Sequence, residues 1–308
     1  MGVSFGGELL AFAELLDLDS VWDLATSLGF SSWRRRRTGW NSDKTGRLAN
    51  SANNFNASLV IPRASYTLRM DDSHPIPGRP LLAVDTSSPI VSLSLSLGST
   101  VLVERTLKQK QSSRALLPTI DEMLRGQSLE LKDLGGLVGL SGPGSFTGLR
   151  VGLATLMGLH QATTLPARTL STLRVLAFCA VENLASQEAP SSPSQPMIVA
   201  VVDALRGNVY VQAFRGDPQT EALDEPRCLP AAELPANYPE ANVVVAFGTD
   251  PAPGRLGWPD TTLWVGAPPL ASPAARLAQD LSTPWDASTL AFPLYLRAPA
   301  VSLPKAFK

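Results

Sequence analysis

The chain has 308 residues, enough for about two domains at roughly 150 residues each. Lys and Arg total 26 against 27 Asp and Glu, so the formal charge is −1 and binding of nucleic acid by overall charge is excluded; only a local patch could do it. Hydrophobic residues make up 44% and charged residues 17%, the composition of a globular chain with a core. The two cysteines, Cys179 and Cys228, and two histidines, His74 and His160, exclude a disulfide scaffold and a cysteine-rich zinc site, and leave little histidine chemistry.

No stretch reads as membrane-spanning, because Ser alternates with Val, Leu and Ile through the uncharged segment 86–103. The first 32 residues carry five acids and no Lys or Arg, the reverse of a basic secretory leader. Gly6 stands where a myristoylation signal needs Ser or Thr, so a cytoplasmic location is expected. Residues 1–32 carry a net charge of −5 and residues 33–70 one of +7, with Ser and Asn between the charges. A loosely amphipathic segment around Leu9–Leu28 followed by a disordered stretch is expected there. The run Trp33-Arg-Arg-Arg-Arg37 is either an RNA-binding or targeting arm or a solvated basic linker. Residues 1–79 are read as a poorly structured extension, with translation upstream of a start near Met70 as the alternative.

From Pro80 the pattern changes. Leu81–Asp85 predicts a buried strand, Thr86–Pro89 a turn, Ile90–Leu97 an alternating strand and Val101–Leu107 a third. Ser112 or Ser113 caps a helix to about Arg125, with Pro118 expected to kink it or shift its start. A strand Gly136–Leu140 leads into Ser141-Gly-Pro-Gly-Ser-Phe-Thr-Gly148, and helices follow at Leu149–Gln161 and about Ser171–Ala185. Gln187–Gln195 is a linker by composition. Met197–Val202 and Val209–Phe214 predict a hairpin, Val243–Phe247 a strand and Ser272–Leu281 a helix. Eighteen of the 26 prolines lie between Pro190 and Pro304, so short strands and loops are expected in the second half. No internal repeat is evident.

The glycine-rich loop follows a strand and opens a helix, a place where backbone N–H groups can hold an anion. It lacks the Gly-Lys-Ser/Thr ending of a phosphate loop and the third glycine of a dinucleotide loop. A tight strand-to-helix turn explains it as well. Asp85 with Thr86, Ser87 and Ser88 either orients a metal-bound water and phosphate or forms an Asx turn into a hairpin. The helices from Ser113 and Gly148 carry broad apolar stripes, which serve either core packing or a helical dimer interface. No Ser-His-Asp set is convincing.

Four stretches resemble the TsaB (YeaZ) family, the non-catalytic dimerisation subunit of the bacterial tRNA threonylcarbamoyltransferase complex. They are Leu82-Ala-Val-Asp-Thr-Ser87, Ser141–Thr155, Val202-Asp-Ala-Leu-Arg-Gly-Asn-Val-Tyr210 and Pro293-Leu-Tyr-Leu-Arg297, in the family's order over residues 80–301. The second is the most specific. The resemblance implies an α/β, two-lobed fold of the actin-like, sugar-kinase and Hsp70 ATPase class. Its lobes would be 80–186 and 196–308, each a mixed sheet flanked by helices.

The family's catalytic paralogue, TsaD, holds a metal through a His-x-x-x-His pair. Thr172 and Leu176 stand at the corresponding positions here, and neither can replace a histidine. Gln111, Leu205 and Asn208 also depart from the family's usual His, Arg and Glu. The resemblance therefore implies a subunit without catalytic residues. Asp85, Thr86, Ser87, Gly142, Gly144 and Ser145 would form a vestigial nucleotide cleft. Leu116, Leu117, Ile120, Met123, Leu124, Gly148, Leu149, Gly152 and Leu153 would form a partner interface. No metal or cofactor is expected on this chain; ATP or ADP and metal belong to partner subunits. Those partners are a TsaD-like catalytic subunit, a TsaE-like ATPase and, through the complex, tRNA reading ANN codons, with a homodimer possible when the chain is alone. The alternative is an enzyme of the same fold, an ATP-dependent kinase or a metallopeptidase.

Overall fold

The computed structural model describes residues 74–108, 112–186, 195–247, 258, 262–280 and 285–297. The basic run 34–37, Met70, nearly all of the 1–79 stretch and the 187–194 part of the linker lie outside these residues.

The first sheet contains β1 (Leu81–Asp85), β2 (Ile90–Leu97), β3 (Thr100–Lys108), β4 (Gly136–Gly142) and β5 (Ala167–Ser171), in the order β3-β2-β1-β4-β5. β2 is antiparallel to β1 and β3, while β4 runs parallel to β1 and β5. Helix α1 (Ser112–Gly126) links β3 to β4, and α2 (Phe146–Thr163) links β4 to β5. Pro118 lies inside α1 without ending it. Helix α3 (Thr172–Ser186) leads to a second sheet of β6 (Met197–Asp203), β7 (Asn208–Arg215), β8 (Arg227–Pro230), β9 (Val243–Phe247) and β10 (Leu263–Ala267), with the short α4 (Leu234–Asn237) before β9. Its order is β10-β9-β6-β7-β8, and its parallel and antiparallel pairings repeat those of the first sheet one for one. The repeat that the residues do not display is thus present in the hydrogen-bond topology. Two mixed sheets of one topology flanked by helices make an α/β fold of the actin-like class.

Three buried clusters define the layers. Leu82, Val84, Val91, Leu93 and Leu95 turn one face of the first sheet to α1 and α2. Leu81, Ala83, Val138 and Leu140 turn the other face to α3 and to α5 (Ala271–Asp280), which also meet Ile198, Ala200, Val243 and Val245 of the second sheet. Val199, Val211 and Val244 face outward to Leu234 and Tyr238. Alternation along β2 would ordinarily leave its serines in water. Here Ser92, Ser94 and Ser96 are fully buried, because α5 covers them with Ala271, Ala274, Ala275 and Ala278. Ser92 Oγ accepts the Ala271 N–H at 3.1 Å, and Ser94 and Ser96 share a hydrogen bond at 2.6 Å.

Residues 196–308, read from sequence as the second lobe, form the second sheet and also pack against the first. After α5, a 3-10 turn at Ala287–Ala291 places Leu290 in the first lobe's outer core. The Leu294 N–H then donates to the Ser141 carbonyl at 2.7 Å. The chain's last described segment is thereby fastened to the strand end that carries the glycine-rich loop.

Candidate functional site

β1 ends on Asp85, fully buried at the centre of the first sheet. Its Oδ1 accepts from the Ser87 N–H at 2.7 Å and the Ser87 hydroxyl at 2.6 Å, and its Oδ2 from the Ser88 hydroxyl at 2.6 Å. Burial pushes the Asp85 carboxyl above the usual carboxylate range, and these hydrogen bonds offset part of that shift. Thr172 Oγ1, at the start of α3, donates to Ser87 Oγ at 3.0 Å. The carboxylate is therefore occupied in holding its own turn.

The glycine-rich loop closes over that turn. The Ser145 N–H donates to the Ser87 carbonyl at 2.8 Å, and Ser145 Oγ caps α2 by accepting from the Gly148 N–H at 3.2 Å. A Cβ at Gly144 would strike the Ser87 carbonyl, one at Gly148 the Thr86 carbonyl and one at Gly152 the Thr86 side chain. Thr86, Ser87 and Ser88 are all buried against the loop. Gly142, at φ +103°, precedes a cis peptide bond to Pro143. The glycines that suggest a phosphate cradle are here required for contact between two segments of the same chain. Asp85, Thr86, Ser87, Gly142, Gly144 and Ser145 do come together as sequence reasoning proposes, but around a packed turn. Neither Asp85–Ser88 nor Ser141–Gly148 supplies a Lys or Arg.

Thr172 and Leu176 are fully buried, Leu176 in the central core. Among the described residues no three His, Cys, Asp or Glu side chains gather as metal ligands. His160 sits late in α2 with Nδ1 2.8 Å from the Leu165 carbonyl, the capping role its position suggests. No helix among the described residues is long and apolar enough to cross a membrane.

Most of the residues expected at the partner surface lie in the interior of this chain. Leu116, Ile120, Met123, Leu124, Leu149 and Leu153 are each at most 4% exposed and belong to the subunit's own core. Gly148 and Gly152 press on Thr86. Of the nine residues only Leu117 reaches the surface in part. The outer face of the α1–α2 layer instead carries Leu117, Val151, Ala154, Thr155 and Gly158. Gly158 is exposed, and a Cβ there would meet nothing within 4 Å. Its spacing from Gly148 and Gly152 is the signal that separates the two faces.

Residues 100–248 match the model of the family described as TsaD: tRNA N6-adenosine threonylcarbamoyltransferase. Two proteins named "tRNA threonylcarbamoyladenosine biosynthesis protein TsaB" are among the curated relatives. The one from Escherichia coli (strain K12) is 29% identical over 153 residues, covering 47% of this chain and 62% of the relative. The one from Haemophilus influenzae (strain ATCC 51907 / DSM 11121 / KW20 / Rd) is 34% identical over 130 residues, covering 42% and 51%. The aligned region thus spans between half and two thirds of these relatives. The solved structure titled "YeaZ from Pseudomonas aeruginosa" superimposes with a TM-score of 0.58 over 70% of this chain and 99% of that one, at 21% identity, which establishes a shared fold. In sequence over part of its length, and in fold, the chain is thus similar to TsaB (YeaZ) proteins.

Proposed function

We propose that the chain is a scaffold subunit without catalytic chemistry of its own, which supports a TsaD-like partner in forming threonylcarbamoyladenosine beside the anticodon of tRNAs reading ANN codons. The observation that carries this reading is the filled loop. The turn after Asp85 packs directly on Gly144, Gly148 and Gly152, and neither loop segment supplies a Lys or Arg. ATP or ADP and metal are accordingly assigned to the TsaD-like and TsaE-like partners, and tRNA contact to the complex. The working compartment is the cytoplasm.

The partner surface is assigned to the outer face of α1 and α2. An exposed glycine inside a helix costs about 1 kcal/mol relative to alanine, so Gly158 is better explained by the approach of another helix than by monomer stability. Val151, Ala154 and Leu117 would flank that crossing, and without the partner the same face would pair two copies. Co-elution of the full chain with the TsaD-like protein encoded beside it in the same cell tests this. Wild type should form a stable complex and Gly158→Arg should not, while both melt as folded proteins. Undiminished complex formation by Gly158→Arg and by Ala154→Arg would place the interface elsewhere.

A further inference from the structure

A second candidate site borders the start of α3, next to Thr172, which holds the Asp85 turn. Where β7 ends, residues 216–222 curl back and re-pair with the strand, the Arg215 N–H donating to Glu221 O and the Leu223 N–H to Ala213 O. Thr220, at φ +44°, is fully buried in that curl. Arg174 in the first turn of α3 clamps it, Nε donating to Thr220 Oγ1 at 3.2 Å and Nη2 to the Gln219 carbonyl at 2.6 Å. Between the curl and the start of α3 lies a pocket of about 560 Å³, of the size that takes small molecules. Arg174, Asp217 and Ser171 line it, with Phe214 as an apolar wall.

Arg174 and Asp217 lie near enough to act on each other but are not joined by a direct ion pair. Arg174 hydrogen-bonds only neutral acceptors, and among the described residues no ion pair within 4.0 Å joins it to a carboxylate. Asp217 Oδ1 and Ser171 Oγ are buried with no hydrogen-bond partner. Leaving such atoms unmatched is costly. The terminal torsion of a carboxylate is soft, so either Asp217 oxygen can turn to the pocket. The remaining rim carboxylate, Glu221, is held by Arg215 at 3.0 Å. The pocket therefore presents a guanidinium fork that suits a carboxylate, a separate carboxylate that suits an ammonium, and a hydroxyl between charge and apolar wall. We propose that it binds a small zwitterion of the α-amino-acid class, the ligand's carboxylate on Arg174 and its ammonium on Asp217.

Isothermal titration of the full chain tests this with glycine, L-serine and L-glutamine, and with acetate, methylammonium and inorganic phosphate as single-charge controls. At least one amino acid should saturate one site, each control should bind about tenfold more weakly or worse, and the near-isosteric Asp217→Asn should weaken the amino acid about tenfold. Arg174→Met should abolish binding; because it also removes the clamp on Thr220, its melting curve is recorded alongside, and Asp217→Asn decides if it unfolds. No saturable binding by any standard amino acid at millimolar concentration overturns the proposal. So does phosphate or acetate binding as tightly as the amino acid with Asp217→Asn unaffected, the signature of a plain anion site. The readout uses the chain alone and is independent of its role as a scaffold.

Discussion

Asp85 shows how a residue pattern and its use can part. A carboxylate at a central strand end followed by Thr-Ser-Ser suggests chemistry on a phosphate, and the pattern is legible at once. What the sequence does not display is that Gly144 and Gly148, about sixty residues on, bring the helix start into contact with that turn. Close approach between distant segments leaves no local periodicity to read. Two outcomes follow. Asp85→Ala takes the acceptor from the buried Ser87 N–H and Ser87 hydroxyl and should cost about 2–3 kcal/mol in denaturant titration. Its folded-state pKa is raised, so the stability linked to its protonated form is complete below the unfolded value of about 4 and is lost as pH rises through the folded value. Urea midpoints should therefore show a downward component over that window in wild type that Asp85→Asn lacks; identical pH dependence in the two would contradict it. Gly148→Ala should cost about 1–3 kcal/mol, because the added methyl meets a backbone carbonyl that cannot swing aside. An unchanged midpoint would mean the turn is not packed as described.

Among the elements, the strongly patterned ones were legible: β1 to β4, α1 to α3, the β6–β7 hairpin, β9 and α5 all fall within a few residues of the sequence reading. β5, β8 and β10 were not. β5 carries the buried Arg168 at its second position, β8 is four residues ending on Pro230, and β10 has Gly266 near its end, so none alternates cleanly. Helix facing was the harder problem. α2 is apolar or small on nearly every side, and only packing shows that Gly152 looks in and Gly158 out. Substitutions separate the two faces. Ile120→Glu, at a position 2% exposed, should destabilise the chain by about 3 kcal/mol or more and remove partner binding only through unfolding. Leu117→Arg should shift the melt little and still lose the partner. Gly158→Ala should stabilise the isolated chain by about 1 kcal/mol. Melting curves recorded beside co-elution distinguish these outcomes; a folded Ile120→Glu that elutes without partner would restore the inward residues to the interface.

The described residues form five layers: α1 and α2, the first sheet, α3 with α5, the second sheet, and the cover around Leu234 and Tyr238. One core runs through the middle layer from Leu81 and Ala83 to Ile198 and Val245, and Arg276 of α5 pairs with Glu182 of α3 through two hydrogen bonds of 2.7 and 2.8 Å. The loop after β1 and the loop before α2 hold each other. What the layers leave outward is the α1–α2 face, which suits a subunit whose contribution is a surface. The most direct measurement is reconstitution with purified TsaD-like and TsaE-like partners, tRNA and the threonylcarbamoyl-adenylate donor, with modified adenosine quantified by mass spectrometry. The account predicts no product from this chain with tRNA and donor alone, product when the partners are added, loss of product with Gly158→Arg, and retained product with Ser88→Ala, which trims one Asp85 hydrogen bond without touching the outer face. Product formed by this chain in the absence of a TsaD-like protein, or undiminished product when this chain is left out, would contradict it.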